Sequence, residues 1–369
     1  LKSGQVDQAM SEGRFAVRES SDFWAPVLYT RLITGRVWYE HRFAKADDFE
    51  IWDGLIDQLE EGSLVPILGP GLLDSYLGSP GDLARGWAEK TNFPLRSSPG
   101  FDLHEVAQYV STTQGKSYAI NDYVRFLSEA LLLHHPSMRP WFEGNEERPH
   151  EKLLGLFSEI SRARKEGGGL LPHEILAKLN CPLFLSTGHD NLLSEALAAE
   201  GKSPSQHIPL WTEEHLMSDD DDETPMRASK RSPLVVPLFG HFSKKASMVL
   251  TEDDYFQYLI GVTRQQSRPQ PSVIREKLTD SGLMFLGFRM GSWQFRILMH
   301  LLQSLQGSKL RGFYKNVAVQ LDPEEGMGAD LARVRKYLEK YFGAPAMQIE
   351  IYWGSAEDFL TELKERCKL

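Results

Sequence analysis

Short apolar runs recur along the chain from residue 64 onward, and segments with a helical spacing of apolar residues separate them. A continuous apolar run that ends in glycine or a polar turn is typical of a strand buried on both faces of a parallel sheet. Because strands that alternate with helices build parallel sheets, the pattern predicts an α/β fold with a doubly wound sheet. The predicted strands are residues 64–69, 181–187, 233–239, 282–288, 316–322 and 348–354.

Most of the region between the first two predicted strands has only helical spacing. It contains the segments DLHEVAQYV, YAINDYVRFLSEALL and HEKLLGLFSEISRARK. We therefore expect a helical insertion subdomain at about residues 97–170. Two further helices are predicted beside the first strand, at residues 48–62 and 82–90.

The first residues of the chain form a segment of their own. A helix-like spacing in GQVDQAMSEGRFAVRE is followed by the strand-like run WAPVLYTRL, and a charged stretch at residues 41–50 then breaks the pattern. We place a domain boundary there, so that the predicted domains are residues 1–45 and 46–369. Since the chain begins at Leu1 without an initiator methionine, we expect a processed product or a piece of a longer polypeptide.

Composition narrows the class of protein. The 369 residues are 41% hydrophobic and 25% charged, as in soluble globular proteins. No apolar stretch is long enough to span a membrane and no secretory pattern opens the sequence, so we expect a cytoplasmic protein. The net charge of −10, without a basic stripe, argues against a nucleic-acid surface.

Metal binding is not predicted. The two cysteines, Cys181 and Cys367, cannot make a four-ligand zinc site. The acidic run Asp219–Glu223 lacks the glycine-spaced pattern of a calcium loop, so we interpret it as a solvated loop rather than a cation site.

Polar and glycine-rich turns follow four of the predicted strands, where a parallel sheet presents groups to ligands. GPG at 69–71 follows the first strand; its amides could contact a diphosphate, although the same residues also suit a plain tight turn. STGHDN at 186–191 follows the second strand, and GHF at 240–242 and GFRMGSW at 287–293 follow the next two. Their shared position predicts a ligand site at these strand ends.

Two histidines, His189 and His241, lie in these turns. Each could carry a proton in catalysis, since histidine titrates near neutrality, or could be a structural residue in a hydrogen-bonded turn. Asp190 could contact a ligand or cap the helix that follows it. The sequence lacks the GxSxG, P-loop and HExxH motifs, which argues against acyl transfer, phosphoryl transfer and metalloprotease chemistry.

Five segments occur in the order VPILGPG, LFLSTGHDNLLSEAL, PLFGHFSKKASMVLTEDDYFQYL, GLMFLGFRMGSWQFRIL and IYWGSAEDFLTEL. Together they resemble the successive motifs of the sirtuin-like NAD-consuming domains found in bacterial antiphage defence proteins. The resemblance covers roughly residues 50–369 and implies a Rossmann-like NAD-binding fold with a helical insertion. It implies NAD as substrate or ligand and no zinc, because the zinc cysteines of deacetylase sirtuins are missing.

The resemblance assigns roles to single residues. Gly188 stands where the family's TxNxD motif has its asparagine, and Phe239 stands where the LHG motif has its catalytic histidine. The catalytic groups implied are His241 as the base, Asp190 as the holder of the nicotinamide carboxamide, and either His189 or a water above Gly188 as the replacement for the missing amide. The NAD contacts implied are Gly69, Pro70 and Gly71 at the phosphates, Thr187, Gly188 and Gly240 at the strand-end pocket, Gly287 and Arg289 at the ribose, and Gly354, Ser355 and Ala356 near adenine.

The segment AMSEGRFAVRESSDFWAPVLYTRL resembles the final helix and strand of the caspase-like peptidase domain called CHAT. This resemblance implies that residues 1–45 are the C-terminal remnant of such a domain, whose histidine and cysteine would lie upstream of this chain.

The two resemblances together imply an NAD hydrolase effector of antiphage defence, controlled by an upstream peptidase domain. Two alternatives stay open at this point: a degenerate module that binds NAD or ADP-ribose as a sensor or oligomerisation unit, and a purely structural relic of the fold. The implied partners are NAD or ADP-ribose, the upstream CHAT portion and further copies of the chain in a homo-oligomer.

Overall fold

The structure is a computed structural model, and the chain divides into two compact units, Leu1–Ala46 and Asp47–Leu369. The helix and strand predicted within residues 1–45, and the acidic run Asp219–Glu223, lie outside the residues that the structure describes. Apart from a few isolated positions, the described residues are 51–95, 101–168, 171–209, 227–265, 272–288, 316–320, 331–342 and 349–369.

Strands of the second unit form one sheet in which every described pairing is parallel. Seven strands are described, and their order across the sheet is β3-β4-β2-β1-β5-β6-β7. They are β1 (Leu64–Leu68), β2 (Leu183–Ser186), β3 (Ser205–Gln206), β4 (Leu234–Pro237), β5 (Gly282–Phe288), β6 (Asn316–Gln320) and β7 (Ile349–Tyr352).

Six of these strands are the six that the sequence predicts. Without β3, the order β4-β2-β1-β5-β6-β7 is the 3-2-1-4-5-6 order of Rossmann folds, so the predicted doubly wound α/β fold is confirmed. The sequence does not reveal β3, because its two residues are exposed and too few to show a hydrophobic period. Every residue of β1, β4 and β5 is buried, as expected of strands covered on both faces.

Described helices lie between β1 and β2, β2 and β3, β4 and β5, and β6 and β7, and residues 101–168 are mostly helical, as predicted for the insertion. Side chains near the helix starts cap the free backbone N–H groups there. The carboxylate of Asp102, for example, accepts the His104 N–H at 2.8 Å where the first insertion helix begins. None of the described helices combines the length and the apolar character needed to cross a membrane. The α-helices are α1 (Trp52–Glu61), α2 (Asp74–Leu77), α3 (Pro80–Thr91), α4 (Leu103–Gln114), α5 (Lys116–His134), α6 (Arg139–Gly144), α7 (Pro149–Glu166), α8 (Pro172–Lys178), α9 (Leu192–Ala199), α10 (Glu252–Gln265), α11 (Ser272–Thr279), α12 (Leu331–Phe342) and α13 (Ala356–Arg366).

The helical insertion shares its apolar core with the segment that follows β4. Phe242, Met248 and Leu250 of that segment are buried in one cluster with insertion residues such as Phe157, and with Trp87 of α3. The β4 segment is therefore held by apolar packing on the insertion side.

The carboxyl ends of β1 and β5 approach each other at two glycines. Gly287 has a φ of +74°, and a Cβ there would lie 2.9 Å from the backbone nitrogen of Leu72. A Cβ on Gly69 would lie 2.5 Å from the carbonyl oxygen of Gly287. No side chain fits between the two strand ends, so both positions require glycine.

Replacing Gly287 by alanine is expected to lower the free energy of unfolding by about 1–3 kcal/mol, because the Cβ meets backbone atoms and the left-handed conformation is strained. Gly54→Ala in α1 is the matched control. A Cβ at position 54 meets nothing within 4 Å, so alanine there should raise stability by about 0.5–1 kcal/mol. Urea unfolding measures both variants, and equal stabilities would contradict the close approach.

Candidate functional site

The turns after β1, β2 and β4, together with the end of β5, lie along the carboxyl edge of the sheet. β1 stands between β2 and β5, and the strand order reverses between β1 and β5. Open α/β sheets bind ligands in the crevice at such a switch point. The fold therefore brings the predicted turns at 69–71, 186–191 and 240–242 to one edge, next to Gly287.

The turn after β1 offers few free amides. The Gly69 N–H donates to the carbonyl oxygen of Leu286 at 2.7 Å, and Pro70 has no N–H to give. Pro70 also begins a 3₁₀ turn that ends at Leu73. Any phosphate contact at this turn therefore falls to amides from Gly71 onward.

Thr187 ties the turn after β2 to the end of β1. Its backbone N–H and its Oγ1 hydroxyl both donate to the carbonyl oxygen of Leu68, at 2.8 and 2.9 Å. The side chain is buried and occupied by this bond. Thr187 therefore fixes the start of the turn, and the structure gives it an anchoring role.

Gly188 leaves room for the carboxylate of Asp190. A Cβ at position 188 would lie 2.7 Å from Oδ2 of Asp190, and the Gly188 N–H donates to Ser186 Oγ at 3.0 Å. The other carboxylate oxygen, Oδ1, accepts the Leu192 N–H at 3.0 Å, at the first residue of α9. The N-cap of α9 is Asn191 rather than Asp190, and Asp190 binds the first helical amide from the position before the cap.

The ring of His189 spans the gap to the turn after β4. Its Nδ1 lies 3.0 Å from the Gly240 carbonyl oxygen, so Nδ1 carries the proton and Nε2 keeps its lone pair. The ring stands edge-on to Phe242, with centroids 5.4 Å apart. Burial lowers the pKa of His189 to about 4, against the opposing effects of the Gly240 bond and the Asp190 charge. His189 is therefore a neutral imidazole at neutral pH.

Both ring nitrogens of His241 are paired inside the protein. Nε2 donates to the Asp190 carbonyl oxygen at 3.1 Å, and Nδ1 accepts the Ser243 N–H at 3.1 Å. The residue is only 3% exposed, and its own N–H donates to Ser247 Oγ at 3.1 Å. Burial lowers the pKa of His241, so that the ring stays neutral and can accept from Ser243. A base must turn a free nitrogen toward the substrate, and this ring has none.

The two histidines bind each other's turns. His189 donates to the Gly240 carbonyl oxygen, and His241 donates to the Asp190 carbonyl oxygen. A third bond joins the same turns, from the Phe242 N–H to the His189 carbonyl oxygen at 3.0 Å. We call these three bonds the histidine clasp.

Phe239 points into an apolar cluster. Its ring packs edge-on against Tyr255 and Tyr258 of α10, at centroid distances of 5.0 and 5.3 Å. Gly240 follows with a φ of +89°, and a Cβ there would lie 2.3 Å from the Ser247 carbonyl oxygen. The position that the resemblance gives to a catalytic histidine is thus a core position in this chain.

The turn predicted near adenine lies at an edge of the described sheet. Ser355 caps α13: its Oγ accepts the Asp358 N–H at 3.0 Å and donates to the Asp358 carboxylate at 2.7 Å. β6 separates Gly354 and Ala356, which flank this cap after β7, from the β5 end at Gly287. Arg289, the other predicted ribose contact, lies outside the described residues.

The segment TEDDY at 251–255 docks the helical insertion. One carboxylate oxygen of Asp254 accepts the N–H groups of Leu250 and Thr251, each at 3.1 Å, and the other lies 2.5 Å from Nζ of Lys116 in α5. Asp254 thus caps α10 and pairs with the insertion through one buried side chain.

Similarity to known proteins agrees with this arrangement. Residues 182–344 match the SIR2-like domain family. The SIR2-like match includes β2, β4, β5 and β6 and both turns of the histidine clasp, and it supports a sirtuin-like domain with an NAD-related function. A comparison of the whole chain with curated proteins found no match.

Sequence reasoning missed the partners of the two histidines. Ser243 and the carbonyl groups of Gly240 and Asp190 decide which ring nitrogen carries a proton, and Ser247 holds the backbone N–H of His241. The only signal for them is a serine two residues after His241. Within the described residues, no group of three or more histidine, cysteine, aspartate or glutamate side chains is arranged to hold a metal ion.

The His189 ring is expected to titrate near pH 4 rather than near its ordinary 6.5, as followed by NMR of its ring protons. Because the folded pKa is the lower one, the unfolded state binds more protons between these values, and stability falls as the pH drops through that window. His189→Asn keeps a donor for Gly240 but cannot titrate. Urea unfolding at pH 7, 6 and 5 should show a shallower pH slope for the variant, by at most about 1.4 kcal/mol per pH unit. Identical slopes would contradict the lowered pKa.

Proposed function

We propose that the chain is an NAD hydrolase that cleaves NAD to nicotinamide and ADP-ribose at the carboxyl edge of the sheet. The SIR2-like match supports NAD as the ligand, and the strand order supports the place where it binds. The observation that supports hydrolysis is the hydrogen bond from Nδ1–H of His189 to the Gly240 carbonyl oxygen. This bond leaves Nε2, with its lone pair, as the basic atom of the ring.

Hydrolysis breaks the bond between C1′ of the ribose and the nicotinamide nitrogen. The electron pair of that bond leaves with nicotinamide, a water oxygen bonds to C1′, and the water proton goes to a base. In this proposal Nε2 of His189 accepts the proton and passes it to solvent. With a pKa of about 4, the ring is unprotonated at neutral pH but is a weak base. We therefore expect slow turnover.

The remaining groups bind and orient NAD in this proposal. Asp190 is assigned to the nicotinamide carboxamide, because its carboxylate lies beside Gly188 and is fixed by the Leu192 N–H. The Gly71 amide is assigned to the phosphates, since the Leu72 N–H already donates to the Gly69 carbonyl oxygen at 3.4 Å, and the glycine at 287 is assigned to the ribose. The turn at 354–356 is assigned to the adenine end.

A nucleotide-binding module without catalysis is the second candidate. Two observations favour it: Phe239 fills the core where the resemblance implies a catalytic histidine, and both nitrogens of His241 are internally bonded. Such a module would bind NAD or ADP-ribose and report it to another part of the protein, or support a homo-oligomer.

The wider biological proposal rests on the sequence resemblances. We propose that this NAD hydrolase is an effector of antiphage defence in the cytoplasm, and that residues 1–45 belong to an upstream CHAT peptidase domain that controls it. Depletion of NAD would then stop the growth of infected cells.

Incubating the purified chain with NAD and measuring free nicotinamide tests the hydrolase. We expect release by the wild type and a loss of about a hundredfold in kcat for His189→Asn, since this variant keeps the donor to Gly240 but lacks the ring Nε2. His134→Asn, the same substitution at an exposed helix position, is the matched control and should keep wild-type activity.

Calorimetry with NAD separates the two candidates. Saturable binding without nicotinamide release by the wild type would reject the hydrolase and support the binding module. Release that is unchanged in His189→Asn would reject the assignment of His189 as the base. The absence of both binding and release would reject both candidates.

A further inference from the structure

The turn that carries His189 and Asp190 is anchored at both ends, and its middle depends on the turn after β4. Thr187 holds one end through the Leu68 carbonyl oxygen, and α9 begins at the other end with Leu192. Between them, the carbonyl oxygens of His189 and Asp190 accept from the Phe242 N–H and from the His241 ring. The His241 ring is thus the side chain that holds the Asp190 carbonyl.

The environment of His241 is built to fix the ring. Ser243 pairs with Nδ1 through its N–H and lies 2.7 Å from it through Oγ. Ser247, which is completely buried, accepts the His241 N–H and donates from the same oxygen to the Lys244 carbonyl at 2.6 Å. This is the arrangement of a ring held as a neutral donor toward Asp190.

We infer that His241 is a positioning residue: through the Asp190 carbonyl oxygen it sets the geometry of the His189–Asp190 turn and does not touch NAD. The inference deepens the proposed function and rests on it. It also replaces the sequence-based role of His241 as the base, because Nε2 would have to leave the Asp190 carbonyl to reach a substrate while Nδ1 faces Ser243.

Two amide variants separate positioning from base catalysis. Glutamine places its amide donor near the position of the histidine Nε2, so His241→Gln can keep the bond to the Asp190 carbonyl. Asparagine places its donor near Nδ1, so His241→Asn loses that bond. Neither amide is a base. We expect His241→Gln to stay within about threefold of the wild type in nicotinamide release and NAD affinity, and His241→Asn to lose about tenfold or more.

Hydrogen exchange without NAD supplies a readout that does not depend on activity. The Phe242 N–H and the amides of residues 186–191 should exchange faster in His241→Asn than in the wild type, and at nearly the wild-type rate in His241→Gln. Tyr352→Phe, which removes the 3.2 Å bond from β7 to Glu362 of α13 and lies outside the cluster that holds Phe242, controls for general loss of stability and should leave these amides unchanged.

The outcomes distinguish this inference from the proposed function. Equal and large losses of activity in the two amide variants would identify His241 as a base and overturn the inference. Equal rates of amide exchange in the two variants would also overturn the inference, whatever the result of the NAD assays. A wild type that neither binds nor cleaves NAD would overturn the proposed function, and with it the role of His241 in positioning the turn for NAD. Faster exchange in His241→Asn, but not in His241→Gln, would still establish the clasp.

Discussion

Strand β1 pairs with a neighbour on each of its edges, and both neighbours lie far along the chain. Its residues 64–68 pair with 282–286 of β5, and Ile67 and Leu68 pair with Leu185 and Ser186 of β2. Because β1 is fully buried, its backbone groups must find partners in these strands. The register that results puts Gly69 against the end of β5 and the Leu68 carbonyl oxygen under the turn after β2. The candidate site therefore takes its geometry from the pairing of this one strand.

Much of this architecture could be predicted from the sequence. The buried strands are continuous apolar runs closed by glycine or polar residues, and that pattern is enough to find them and to place their turns at one edge. The short strand at Ser205–Gln206 has no such pattern. The pairing of the histidines could not be predicted either, since it depends on where two backbone carbonyl groups lie, and a carbonyl oxygen has no sequence signature. Sequence reasoning therefore placed the turns at one edge of the sheet but did not find the hydrogen bonds between them.

The side chains on either side of Gly240 lie in different surroundings. Its left-handed conformation turns the chain between positions 239 and 241, and the Ser247 carbonyl oxygen occupies the place of a Cβ. Phe239 enters the apolar cluster on α10, whereas His241 faces the turn after β2. A substituent at 240 would disturb the core and the clasp together. The β4 turn thus couples the packing on α10 to the polar contacts of the candidate site.

The absence of a side chain at Gly188 limits the substitutions that the turn after β2 can accept. Its space is taken by Oδ2 of Asp190, whose partner oxygen is held by the start of α9. An asparagine at 188 would have to displace that carboxylate, so its cost depends on the residue at 190. In evolutionary terms the two positions are epistatic. A side chain at 188 therefore requires the Asp190 carboxylate to move, and that movement would disturb its bond to the Leu192 N–H.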